Sequence, residues 1–163
     1  MIAIESELKL RAAPEVVWRV LIDFGNYAVW HPTLRLEGPA ELGATIDYGL
    51  SNTLTGWTSA RADARVTRFE PGRVVEWRMG IRLLFQVTES YALRPLEAGT
   101  AVVHRIEYRG IGVRVTSQRA VGLWHKAARD ADGALRVYLE ASKGPSRVAR
   151  SAPRRGKPRG TGR

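Results

Sequence analysis

TSQRAVGLWHKAARDADGALRVYLEAS, residues 116–142, is the stretch on which the fold turns. Spaced at 100° per residue, Val121, Trp124, Ala128, Ala131, Leu135 and Tyr138 fall on one face, flanked by Ala120, Ala127 and Leu139. Arg119, Lys126, Arg129, Arg136 and Glu140 lie on the other side. So wide a stripe predicts a single amphipathic helix of about seven turns. That is well beyond the average of about 11–12 residues, long enough for one sheet to wrap around.

The chain before it reads mostly as strands. Ile2, Ile4, Ser6, Leu8 and Leu10 alternate with Glu5, Glu7, Lys9 and Arg11, the pattern of a half-buried strand. Ala13-Pro14-Glu15 opens a helix with proline near its first position and an acid in its first turn. Val17, Val20, Leu21 and Phe24 form its apolar side, Gly25-Asn26 ends it, and residues 27–30 form a second helical piece stopped by Pro32. Six strands are then expected, over 33–37, 44–50, 58–69, 73–79, 83–94 and 100–109, with 51–57 as a loop and Gly80 as a break. Gly110 and Gly112 release the chain into the final helix. Strands separated by turns, with helices at the two ends of the order, predict an antiparallel sheet in an α+β domain.

Composition narrows the function. The 163 residues contain no cysteine, which excludes disulfides and thiolate chemistry. No apolar run reaches the ~20 residues of a membrane span, and the first residues lack the pattern of a secretory signal, so a cytoplasmic location is expected. The net charge of +10 is unevenly placed. Residues 143–163 hold eight Lys/Arg and no acid, leaving 18 basic and 16 acidic residues, a net of +2, for residues 1–142. The reading is a domain over 1–142 and a disordered basic tail over 143–163, rich in Gly, Pro, Ser and Arg. That tail could contact anionic lipid or nucleic acid nonspecifically, or be a solvated extension.

Several phrases, in order, resemble the SRPBCC superfamily, the START-related, polyketide cyclase/dehydrase-like helix-grip proteins. They are Ala13-Pro14-Glu15-Val16-Val17-Trp18 running into Asp23-Phe24-Gly25-Asn26-Tyr27-Ala28-Val29-Trp30-His31-Pro32, then Phe69-Glu70-Pro71-Gly72-Arg73 with Glu76-Trp77, then Glu89-Ser90-Tyr91-Ala92-Leu93-Arg94-Pro95 and His104-Arg105-Ile106-Glu107-Tyr108. The resemblance covers about residues 2–140. It implies a curved seven-stranded antiparallel sheet gripping the last helix, two short helices between strands 1 and 2, and a mostly apolar cavity between sheet and helix. It brings no universal catalytic set, and the basic tail is an addition to it.

Two ionisable residues interrupt otherwise apolar strand faces, Glu89 and His104. If Leu93 pairs with Val102, Tyr91 faces His104 and the Glu89 and His104 side chains become diagonal neighbours. Such a pair is a candidate acid and base for a bound carbonyl or hydroxyl compound, a polar patch that orients a ligand, or a mutually satisfied buried pair. His31 reads as an exposed residue at the end of the helix pair, and His125 as a boundary residue. The three histidines lack metal-ligand spacing, so no metal and no cofactor are expected. No serine has nucleophile-elbow context, and Gly110-Ile111-Gly112 lacks the third glycine of a nucleotide fingerprint.

Small residues on two facing surfaces, Ala60, Ala62 and Ala64 on a strand and Ala120, Ala127, Ala128 and Ala131 on the helix, leave room for a pocket unless close approach of the two backbones absorbs it. Its expected lining is Trp30, Tyr48, Ala62, Ala64, Trp77, Phe85, Glu89, Tyr91, His104, Tyr108, Trp124, Ala128 and Ala131, with Trp124, Leu135 and Tyr138 closing its ends. The expected function is binding, for transport or sequestration, of a hydrophobic small molecule, lipid-like or aromatic/polyketide-like, in a cavity between sheet and C-terminal helix. The alternatives are a cyclase/dehydrase-like enzyme working through Glu89 and His104, and an interaction protein acting through its basic tail.

Overall fold

The computed structural model describes residues 1–52 and 57–141, with side chains described for 1–50 and 61–141. Strand β1 (Ile2–Leu10) is followed by helix α1 (Pro14–Ile22), a 3-10 turn (Phe24–Asn26) and the short helix α2 (Tyr27–Trp30). Six strands follow: β2 (Leu34–Glu37), β3 (Thr45–Asn52), β4 (Trp57–Glu70), β5 (Val74–Ile81), β6 (Phe85–Leu96) and β7 (Gly99–Arg109). A one-turn helix α3 (Ile111–Arg114) and the long helix α4 (Gln118–Ala141) complete the described chain. All seven strands form one antiparallel sheet in the order β1-β7-β6-β5-β4-β3-β2, curled around α4 in the expected helix-grip arrangement.

The hairpin of β6 and β7 has the anticipated register, with Leu93 opposite Val102, Tyr91 opposite His104 and Glu89 opposite Ile106. Inner positions of the strands are mostly apolar, and the outer face is polar, with Arg105 bridging Glu5 and Glu107. Some boundaries depart from expectation. Gly80 does not end β5, because its positive φ of 94° lets the backbone continue to Ile81 against Phe85. Leu83 does not start β6: it occupies the turn with φ 72° and is exposed. The expected loop at 51–57 shrinks, since Ser51 and Asn52 extend β3 and Trp57 opens β4; residues 53–56 lie outside the described residues. So does the basic tail from 143 onward.

The core divides in two. The larger part packs α1 and α2 and the C-terminal half of α4 onto the sheet, with Leu21, Phe24, Tyr27, Trp77, Leu135 and Leu139 all sealed from solvent. Trp77 is its aromatic centre, edge-on to Phe24 at 5.5 Å and Tyr27 at 6.0 Å. The Tyr27 hydroxyl donates to the Leu21 carbonyl at 2.9 Å, which ties α2 to α1. The smaller part gathers Ile4, Val87, Tyr108, Val113 and Ala128 toward the start of α4.

The β6–β7 turn depends on a close approach to the end of β1. Gly99 has φ 128°, and a Cβ there would lie 2.0 Å from the Leu10 carbonyl oxygen. The variant Gly99→Ala is therefore expected to lose more than about 2 kcal/mol of unfolding free energy, read by urea titration.

Candidate functional site

Three ionisable side chains meet at the seam between the two core regions, where the sheet faces the middle of α4. His104 on β7 projects inward with 2% of its surface exposed, and Glu89 on β6 with 4%. The third is Asp132, from the middle of α4, also buried. The imidazole lies between the two carboxyls, Nδ1 at 2.7 Å from Asp132 Oδ1 and Nε2 at 3.2 Å from Glu89 Oε1. Asp132 is held in turn by Ser6 of β1, whose hydroxyl donates to Oδ2 at 2.5 Å. Tyr91 lies flat against the imidazole with ring centres 4.3 Å apart, and its hydroxyl donates to Glu89 Oε1 at 3.4 Å.

Burial by itself lowers the His104 pKa, but the hydrogen bonds to Asp132 and Glu89 and their charges outweigh it and raise the value to about 9. His104 is therefore an imidazolium at neutral pH, with both N–H groups committed to carboxyls and its face on the Tyr91 ring. Ser6 and His104 likewise occupy both oxygens of Asp132. One atom of the trio stays open: Glu89 Oε2 makes no hydrogen bond among the described residues and is not sealed from solvent.

That oxygen belongs to a residue lining a cavity of about 250 Å³ between the sheet and the N-terminal half of α4. Tyr48, Phe85, Glu89, His104, Tyr108, Trp124, Ala128 and Ala131, all expected in the lining, are brought together there. Phe85, Tyr108 and Trp124 make an aromatic end wall, with Tyr108 and Trp124 stacked at 4.1 Å. Burial first, and Glu89's charge second, push the Tyr48 and Tyr108 hydroxyls upward, so both remain neutral phenols able to donate.

Five expected residues stand elsewhere. Ala64 is in the main core, paired with Ile46 and Met79 on the neighbouring strands; Ala62, opposite Tyr48, is half-buried outside the lining. Trp77 is the core's aromatic centre, and Tyr91 lies against His104 rather than against the cavity. Trp30 borders a separate groove that it shares with Val16 and Val20 of α1 and Tyr138 of α4. Leu135 packs in the core, so of the three expected end-clamps only Trp124 meets the cavity.

The sequence reading missed Asp132, although a signal existed: it lies four residues after Ala128 and three before Leu135, inside the apolar stripe. His31 is not the exposed residue expected. It is half-buried and lines the cavity, its Nδ1 accepting from the Leu34 amide at 2.9 Å and the Thr33 amide at 3.3 Å. Burial drives its pKa down to about 4, leaving a neutral ring protonated on Nε2. No described group of carboxylate and imidazole side chains is arranged to hold a metal ion.

The two histidines bend stability in opposite directions. His104, raised to about 9, contributes fully below its ordinary value of 6.5, and the contribution is lost as pH rises through 9. His31, lowered to about 4, contributes above 6.5, and that is lost as pH falls through 4. Melting temperature should therefore peak near neutral pH, with each limb on the order of 2–4 kcal/mol. His31→Gln should flatten the acid limb and leave the alkaline one. Asp132→Asn should cost roughly 3 kcal/mol at neutral pH and move the alkaline limb to lower pH, read by histidine NMR titration alongside thermal melts.

Comparison with known proteins agrees with this architecture. A family described as polyketide cyclase/dehydrase and lipid transport matches residues 1–140. No curated protein matches the chain. Solved structures similar to it include TTHA0849 from Thermus thermophilus, at 16% identity and a TM-score of 0.68 over 87% of this chain and 99% of that one. Ara h 8.0201 is similar at 9% identity and a TM-score of 0.65, over 86% of this chain and 98% of that one. The di-domain ARO/CYC StfQ from the steffimycin biosynthetic pathway is similar at 11% identity and a TM-score of 0.66, over 88% of this chain and 52% of that one. At these identities the structural likeness is one of fold, and the family rests on the sequence match. With that match running from the first strand to the end of α4, the chain belongs to the polyketide cyclase/dehydrase and lipid transport family.

Proposed function

We propose that the protein binds a small hydrophobic molecule carrying a hydroxyl or phenol group in the cavity under α4. The observation that carries this reading is Glu89 Oε2, an acceptor without a partner among the described residues on the wall of an otherwise largely apolar cavity. A buried acceptor of this kind favours a ligand that donates a hydrogen bond to it. A carboxylate-headed ligand gains no such bond, and it meets a cluster that already holds two carboxyls against one imidazolium. At about 250 Å³ the cavity lies just under the usual range of roughly 300–1,000 Å³, which suits a ring system or short chain better than a two-tailed lipid. The aromatic end wall favours a flat ring.

A cyclase-type reaction on such a ligand would have to run through the same oxygen. His104 has both nitrogens engaged, so it would act by positioning Glu89 rather than by meeting the ligand.

The test is a matched pair of probes, 1-naphthol and 1-naphthoate, titrated against tryptophan fluorescence and checked by thermal shift. Naphthol should bind at least about tenfold more tightly, and Glu89→Gln, whose amide also donates, should erase that preference by admitting the carboxylate. Equal affinity for the two in the unaltered protein, or binding of neither, overturns the reading.

A further inference from the structure

Apolar side chains are usually exposed singly, so a cluster of them marks a contact surface. In this protein the cluster lies at one end of the grip. Ile81, Leu83 and Leu84 at the β5–β6 turn, with Ile111 and Val115 around α3, are each between 51% and 85% exposed. The two loops act as one unit. The Ile111 amide donates to the Leu83 carbonyl and the Gly112 amide to the Leu84 carbonyl, both at 2.9 Å. Gly110 makes the approach possible, since a Cβ there would stand 2.4 Å from the Leu84 oxygen. The patch also adjoins the cavity: Phe85 directly follows Leu84 and lines it, as does the partly exposed Leu123.

Charge decides what fits this patch. Segments 80–88 and 109–125 contain no Asp or Glu. They contain Arg82, Arg114 and Arg119, all exposed and without an ion pair among the described residues, whereas Arg109 is neutralised by Glu107. Exposed apolar side chains on segments that also carry these unpaired guanidinium groups and no acid match an anionic bilayer surface, with the leucines entering the acyl boundary and the arginines meeting phosphates. A second copy of the chain fits poorly, because a two-fold contact would set two basic patches without an acidic residue in either segment against each other.

We infer that this end of the molecule docks on anionic membranes, so that the knitted β5–β6 turn and α3 sit in the headgroup layer beside the cavity. The inference rests on the patch and stands whether or not the cavity takes the ligand proposed above. It is tested with the full chain by co-sedimentation with phosphatidylcholine vesicles, with and without phosphatidylglycerol. The basic residues 143–163 are kept in every variant.

The protein should partition onto the phosphatidylglycerol vesicles only, and less so at high salt. The double variant Leu83→Asp/Val115→Asp should lower the partition coefficient at least about tenfold while melting temperature and naphthol affinity stay unchanged. Leu83 suits this test because aspartate tolerates its left-handed backbone. Arg82→Gln/Arg114→Gln/Arg119→Gln should weaken binding and flatten the salt dependence. The inference is overturned by undiminished partition of the double variant, by no partition of the unaltered protein, or by a solution dimer that these substitutions dissolve without any vesicle binding.

Discussion

An imidazolium buried between two carboxyls is the constraint on which the sheet and the long helix agree. His104 comes from the sheet and Asp132 from the helix, and their 2.7 Å contact has only one helix rotation and one axial position that satisfy it. Hydrophobic contact alone is tolerant of sliding; a charge sealed from water is not, because breaking such a pair strands an uncompensated ion at a cost of about 3–5 kcal/mol. Ser6 extends the network to β1, the edge strand on the far side of β7, so four elements, β1, β6, β7 and α4, share one polar junction.

This junction also divides the labour of α4. Beyond it, Leu135 and Leu139 are packed against the main core with the aromatic group around Trp77. Before it, Leu123, Trp124 and Ala127 stand over a space that is not filled. The helix is thus a wedge driven home at one end and held clear at the other, with its position set in the middle. Ala128 and Ala131 allow that geometry, since larger side chains there would occupy the space over His104 and Glu89.

Most of the fold was legible in the sequence because strand alternation and the helix stripe are strong local signals. The β6–β7 register followed from placing Leu93 across from Val102, and this brought Glu89 and His104 within reach. What was not legible depended on backbone conformation or on tertiary neighbours. Leu83 continues the apolar alternation of β6, yet adopts a left-handed turn that no pattern of hydrophobicity reveals. Ala62 and Ala64 suggested space, but they pair with the larger Tyr48, Ile46 and Met79 on the neighbouring strands, and neither lines the cavity. Asp132 was readable as a polar residue inside the apolar stripe. Its weight became apparent only with His104 opposite it.

The separation between packed core and cavity has a consequence for how such a chain can diverge. Phe85, Tyr108, Trp124 and Leu123 border the cavity without belonging to the aromatic centre around Trp77, and the polar junction stands between the two groups. Substitutions at these wall positions therefore act outside the main core, while substitutions around Trp77 act at its centre. Selection acting at those positions reshapes what the cavity admits while the main core stays in place. A fold partitioned in this way keeps its scaffold while its chemistry drifts.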